Sequence, residues 1–98
     1  VNTFALEDFI FESKSIEIEN NDKIIAKDGV KVITSDGLVI FADKSEYDKN
    51  TKILKLENSV KVLDKVQNFE INSDYITYNK FLEKIFSRTN TKIKINLL

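Results

Sequence analysis

Apolar and polar residues alternate along most of the chain. The alternation is clearest in five segments, at residues 16–19, 30–32, 52–56, 60–62 and 93–95. A period of two sends successive side chains to opposite faces of a strand, so each segment predicts a β-strand with one buried and one solvated face. Polar clusters at 20–22, 27–29, 35–37, 48–50 and 57–59 lie between the segments and predict turns. Only residues 78–86 approach a helical pattern, and a helix there is the alternative.

The predicted strands and turns recur as a unit. Related units begin near Ser13, Ala42 and Ser73, each with a polar turn, a second strand and a third strand after it. The spacing is about 30 residues, which is the range of stacked supersecondary repeats. Each unit is too small to bury its own apolar face, so we expect the units to pack together.

Each unit also contains a change of phase. Leu38, Ile40 and Ala42 share one face, but the next large apolar residue, Tyr47, comes after an odd number of steps. A bulge or bend at 43–45 would turn the strand and keep both halves facing inward. Strands that bend in this way predict an antiparallel β-jelly roll, a folded-over, V-shaped two-sheet sandwich of repeated bent hairpins.

Composition supports a small folded β domain without the residues of common catalytic sites. The 98 residues suffice for one domain, and 13 Ile, 7 Val and 6 Thr suit a pleated surface. A net charge of −1 without a basic block argues against nucleic acid as a partner. The absence of Cys and His excludes the usual zinc sites and His-based acid–base catalysis. The carboxylates alternate with apolar residues or lie in turns, so we predict no enzyme activity, no metal and no cofactor.

The middle unit carries a recognisable order of residues. Residues 40–51 contain an apolar strand that ends in Ala-Asp, then Tyr-Asp, and then a turn with Thr. A Leu-x-Leu segment follows at 54–56, and an Asn-Ser-Val-x-Val segment follows at 58–62. This order resembles the OstA-like family, the jelly-roll modules of the lipopolysaccharide transport bridge, over roughly residues 9–95. The segments 9–13 and 17–18 are similar to the start of the N-terminal periplasmic domain in the LptD branch of that family.

The sequence departs from the family pattern at two kinds of position. Asp28, Asn58 and Thr89 stand where the family has a turn glycine, and Ser13 and Ser73 stand where it has alanine. Asp and Asn tolerate the left-handed conformation better than Thr does, so we expect the third turn to differ in type.

The resemblance implies a fold, a location and a function. It implies one jelly-roll domain over residues 1–98, and the missing start Met indicates a fragment of a longer chain. The expected location is the periplasm of a Gram-negative bacterium, within an outer-membrane protein. The expected role is to bind lipopolysaccharide and pass it to an outer-membrane barrel outside this chain. Other jelly-roll transport modules would join it by pairing of edge strands.

The resemblance also places candidate binding residues. Lipid A acyl chains would lie against the inward apolar face, which comprises Ile18, Val30, Val32, Leu38, Ile40, Tyr47, Leu54, Leu56, Val60, Val62, Phe69, Ile71, Tyr78 and Ile85. The partner edges would be the strands that contain Phe9, Phe11, Ile93 and Ile95. Phe9 and Phe11, together with Ile25, are also expected to face inward. From the residues alone, an ordinary core is the favoured explanation of the inward face, and only the resemblance favours lipid binding.

Two other functions remain open. A stand-alone bridge or scaffold module, of the LptA or LptC type, would join partners through its edges; one that holds no lipid would have an interior sealed by side chains. A carbohydrate-binding jelly roll would normally expose aromatic platforms, and the chain has no Trp.

Overall fold

The strand pattern of the sequence is realised as nine antiparallel β-strands in the part of the chain that the structure describes. The structure is a computed structural model and describes residues 1–88 and 90–95. The strands are β1 (Asn2–Ala5), β2 (Phe9–Glu19), β3 (Lys23–Thr34), β4 (Leu38–Ala42), β5 (Lys44–Asp48), β6 (Ile53–Asp64), β7 (Phe69–Asn79), β8 (Lys84–Ser87) and β9 (Lys92–Ile95). Within these described ranges, no helix is long and apolar enough to cross a membrane.

Four long strands, β2, β3, β6 and β7, each run through two sheets. Sheet I contains β1, the first half of β2, the second half of β3, β4, the second half of β6, the first half of β7, and β9. Sheet II contains the remaining halves of the long strands together with β5 and β8. The two sheets meet at one fold line, so the predicted folded-over β-jelly roll is confirmed.

The fold line lies where the sequence changes phase. The ladder register shifts between Ser13 and Ser15 on β2 and between Glu57 and Val60 on β6. Asp43, between β4 and β5, donates its amide N–H to the carbonyls of Glu57 and Asn58, at 3.2 and 3.1 Å. The buried backbone therefore remains paired through the bend. The predicted bend at 43–45 is confirmed.

The predicted turns at 27–29 and 57–59 are wrong, because these residues form bulges inside β3 and β6 where the strands bend between the sheets. Asp28 and Asn58 in these bulges adopt the conformation that the family glycine would take. The backbone φ angle is 62° at Asp28 and 66° at Asn58. Asp and Asn are the non-glycine residues that accept this region most readily. Ser59 follows Asn58 with a φ of 51°, so the bulge in β6 places two consecutive residues in left-handed conformation. Thr89, the third such position, lies outside the described residues.

The core lies between the two sheets and is densely packed. Its fully buried side chains come from both sheets: Phe9, Phe11, Ile24, Val32, Ile40, Leu54, Leu56, Val60, Val62, Ile76 and Tyr78. The ring of Phe9 meets Tyr47 at 4.7 Å and Tyr78 at 5.8 Å between centroids, both edge-on. These contacts hold the end of sheet I against the end of sheet II. Residues 78–86 end β7, form a turn at 80–83 and begin β8, so the helical alternative is wrong.

The assignment of Phe9 and Phe11 to an exposed edge is wrong. β1 pairs outside β2, with Phe4 opposite Phe11 and Ala5 opposite Ile10. Phe9 and Phe11 are 1% and 0% exposed, and both belong to the core. The sequence did not reveal β1 because a four-residue strand with two polar residues gives no measurable alternation.

Candidate functional site: the apolar interior and the strand edges

The predicted inward residues do share one face, as the strand register shows. Directly opposed residues of an antiparallel pair lie on the same face, and rows such as Phe11–Val32–Ile40–Val62–Ile71 cross sheet I. Ten of the predicted residues are buried: Val30, Val32, Leu38, Ile40, Tyr47, Leu54, Leu56, Val60, Val62 and Tyr78. Three others, Phe69, Ile71 and Ile85, are half-buried. The structure thus brings these thirteen together in an interior that their own side chains fill.

Ile18 lies on the same face but outside the packed core. It is opposite the buried Ile24, and its side chain is 52% exposed. β1 pairs with β2 only as far as Ser13, so no described strand covers the outer side of β2 at Ile18. The apolar face of sheet II therefore continues beyond the core to this open edge. Ile16, two residues earlier, packs against the core and was missed as a site residue.

The other end of the molecule has a similar edge in sheet I. β9 pairs with β7 on one side, with Ile93 opposite Ile71 and Ile95 opposite Phe69. Both β9 isoleucines therefore lie on the inward face, yet they are 65% and 63% exposed. Lys92 and Lys94 alternate with them on the outer face. The predicted edge at Ile93 and Ile95 is thus an edge strand whose apolar residues extend the inner face.

The ends of the sheets opposite the fold line are joined by polar contacts, and we call this side the mouth. The hydroxyl of Tyr78, at the end of β7, donates a 2.9 Å hydrogen bond to the carboxylate of Asp36 in the turn after β3. The ammonium of Lys80 donates to the hydroxyl of Ser35 at 3.2 Å. We call these two hydrogen bonds the mouth latch. They join turn residues of sheet I to residues more than forty positions later in sheet II.

The titration of the two main latch groups reflects this contact. Burial raises the pKa of Tyr78, and the hydrogen bond to the Asp36 carboxylate raises it further. Burial alone would raise the pKa of Asp36, but hydrogen bonds from Thr34 and Tyr78 outweigh it, so this pKa lies below its usual value. The pair is therefore a neutral phenol donating to an ionised carboxylate at neutral pH.

Asp36, Ser35 and Lys80 were missed by the sequence analysis. Each lies in a polar turn, and turn composition predicts the turn without predicting which distant residue it meets. The contact depends on the angle between the two sheets. No local pattern in the sequence reports that angle.

The comparisons with known proteins agree with this architecture. Residues 8–90 match the family described as OstA-like protein. The chain belongs to the OstA-like family. No curated protein sequence matches the chain. A solved structure with the same fold is the crystal structure of LptH, "the LptA homologous periplasmic component of the conserved lipopolysaccharide transport device from Pseudomonas aeruginosa", with a TM-score of 0.82, 8% identity, and coverage of 97% of this chain and 79% of that one.

The outer faces of this OstA-like domain carry mostly isolated charges. Lys27 lies 3.9 Å from Glu17 and Lys31 lies 3.8 Å from Glu12, both on the solvent side. Exposed pairs of this kind contribute little to stability. Among residues 1–88 and 90–95, no three His, Cys, Asp or Glu side chains converge as a metal site would require. The interior and the edges are therefore the candidate functional features.

Proposed function

We propose that this OstA-like chain is a periplasmic module of lipopolysaccharide transport that holds the acyl chains of lipid A between its two sheets. Membership of the family and the fold shared with LptH support the proposal. The described residues offer an apolar interior, which suits the binding of acyl chains.

One observation carries the proposal: the inward apolar face does not stop where the core stops. It continues to Ile18 at the open edge of sheet II and to Ile93 and Ile95 at the open edge of sheet I. These three isoleucines are more than half exposed and lie in register with the buried apolar rows. An apolar path that runs on into a neighbouring module would place them there.

The chemistry of such a path suits an amphiphile that must move. Each buried CH₂ group contributes about 0.8 kcal/mol before the costs of association. These contacts are non-directional, so a chain sliding by one carbon exchanges equivalent contacts and breaks no specific hydrogen bond. The interior in its closed form is filled by side chains, so binding requires the sheets to separate.

The edges suit pairing with other jelly-roll modules. An edge strand presents unpaired N–H and C=O groups, and an added strand from a partner would satisfy them. We expect the second half of β2 at one end and β8 or β9 at the other to form these joints. Delivery to an outer-membrane barrel, as in the LptD branch, is the finer form of the proposal.

A second function is favoured by the packed interior. A scaffold module that joins partners by its edges without holding lipid would have such an interior. A stand-alone bridge protein of the LptA or LptC type fits the fold equally well. This alternative predicts edge-dependent assembly with no lipid between the sheets.

Site-specific photocrosslinking in cells that make lipopolysaccharide tests the proposal. The photoreactive residue p-benzoylphenylalanine would replace Ile18 or Ile93, which are exposed enough to accept it without disturbing the core. Glu17 and Lys94, their outward-facing neighbours, serve as matched controls. Lipopolysaccharide adducts at Ile18 and Ile93 but not at the controls are expected. Adducts to protein alone at all four positions would favour the scaffold.

A further inference from the structure

The mouth latch lies on the side opposite the fold line, where lipid would enter between the two sheets. The two sheets meet at the fold line near Ser13, Asp43 and Asn58, and Tyr78 and Asp36 lie at the opposite ends of the sheets. A sandwich hinged along one side opens by separating the ends on the other side. The latch therefore lies where a small angular opening would produce the largest displacement.

The acceptor side of the latch is held in place by its own turn. Thr34 donates a short hydrogen bond to Asp36, and the Thr34 hydroxyl accepts the amide N–H of Leu38 at 3.0 Å. The amide of Ser35 donates to the carbonyl of Asp8 at 3.0 Å. Asp36 is thus fixed whether or not Tyr78 is bound. Breaking the latch costs one hydrogen bond to a charged group and one exposed polar contact, without rearranging the turn.

The donor side joins the latch to the interior. Tyr78 is buried, and its ring packs edge-on against Phe9, which is itself in contact with Tyr47. When the hydroxyl of Tyr78 leaves Asp36, its ring loses its fixed position over the aromatic contacts that close this end of the core. Opening the latch therefore uncovers apolar surface directly behind it.

We propose that the mouth latch is a gate: an acyl chain enters between the sheets only after the Tyr78–Asp36 hydrogen bond opens. This inference rests on the proposed function and adds a route and a control point to it. The closed, side-chain-filled interior is then the resting state of a carrier. A chain that entered freely from the two edge ends would not depend on the latch.

Uptake kinetics of a fluorescent fatty acid test the gate. The purified 98-residue domain is mixed with cis-parinaric acid and the rise in fluorescence is timed. Tyr78→Phe removes the central hydrogen bond and is expected to speed uptake on the order of tenfold, the change in an opening equilibrium that loss of such a bond produces. Asp36→Asn removes the charge of the acceptor and weakens the bond, so it is expected to speed uptake by a smaller factor. Asn50→Ala is the matched control, since it removes a 3.1 Å side-chain hydrogen bond to Asp22 between two turns of sheet II and leaves both hydrogen bonds of the mouth latch in place.

A covalent cross-link across the mouth provides the opposite test, because it holds the two sheets together without removing a stabilising contact relative to the unlinked protein. The chain has no cysteine, so Ser35→Cys with Lys80→Cys introduces the only thiols, at the two positions whose side chains meet across the mouth. A short bis-maleimide would join them. The linked protein is expected to take up the probe at least tenfold more slowly than the unlinked double variant.

The outcomes separate the gate from the function. Faster uptake in the two latch variants, together with slow uptake in the linked protein, supports both the gate and the carrier function. Uptake that is equal in the parent, latch variants, Asn50→Ala and linked protein overturns the gate and leaves the carrier function standing. No uptake by any form, including those with an open latch, overturns both.

Discussion

Replacing either of two buried serines near the fold line by alanine is expected to change the stability of the domain in opposite directions. Ser13 and Ser45 both face inward and are almost completely buried. The Ser13 hydroxyl lies 2.5 Å from the carbonyl of Lys27, to which it donates, and it accepts the amide of Ser15 at 3.3 Å. Among the described residues, the hydroxyl of Ser45 has no hydrogen-bond partner. The two substitutions therefore remove the same atom from different environments.

The magnitudes follow from what each hydroxyl satisfies. Ser13→Ala removes the hydrogen bond to the Lys27 carbonyl and the acceptor of the Ser15 amide, so we expect a loss of about 1–2 kcal/mol of stability. In a domain of this size, that loss lowers the melting temperature by roughly 5–15 °C. Ser45→Ala removes a buried polar group that gains nothing from the protein, so stability is expected to stay unchanged or to rise by up to about 1 kcal/mol.

Urea unfolding followed by far-ultraviolet circular dichroism measures both changes. The midpoint is expected to fall for Ser13→Ala with an unchanged slope, since the surface exposed on unfolding is the same. Ser15→Ala is a control on the same strand, because its hydroxyl makes no hydrogen bond among the described side chains. A Ser13→Ala protein as stable as the parent, or a Ser45→Ala protein less stable than Ser13→Ala, would refute the reasoning.

Three further predictions concern the core, the bulge in β6 and the pH dependence of stability. Phe9→Ala removes a fully buried ring that contacts Tyr47 and Tyr78, and calorimetry should show a loss of roughly 3–5 kcal/mol; a loss below about 1 kcal/mol would mean that Phe9 does not hold the sheets together. Asn58→Gly should leave stability unchanged or raise it, whereas Asn58→Val, which forces a β-branched residue into a φ of 66°, should cost about 1–2 kcal/mol; equal urea midpoints for the two would contradict the geometry of the bulge in β6. The pKa of Asp36 is lowered in the folded state from its usual 3.8, so its contribution to stability is complete at neutral pH and is lost as the pH falls through 3.8 to the folded value. Melting temperatures from pH 7 to pH 3 should therefore fall less steeply for Asp36→Asn, and identical slopes would argue against an ionised acceptor.

The sequence predicted the elements and their bends because both leave a local record. Alternation marks each half-buried strand, and the odd step from Ala42 to Tyr47 marks the point where the strand bends between sheets. Asp28 and Asn58 were expected to accept left-handed geometry, and both do. These features depend on neighbours within a few residues, which the sequence shows directly.

The sequence could not predict what depends on distant neighbours. Alternation cannot distinguish a central strand from an edge, so Phe9 was assigned to an edge and Ile18 to the buried face without distinction. The structure reverses the exposure of the two, because β1 covers the first half of β2 and stops before the second. The Tyr78–Asp36 contact joins residues 42 positions apart and depends on the angle between the sheets.

The central claim is that lipid lies between the two sheets, and methyl NMR of isoleucine tests it most directly. The 13 isoleucines include inward reporters, such as Ile24, Ile40 and Ile76, and outward reporters, such as Ile10, Ile33 and Ile53. On titration with lipid A, we expect shifts and intermolecular nuclear Overhauser effects at the inward δ1-methyl groups, with the outward groups unchanged. Effects confined to the outward methyl groups, or none at saturating lipid, would contradict the account.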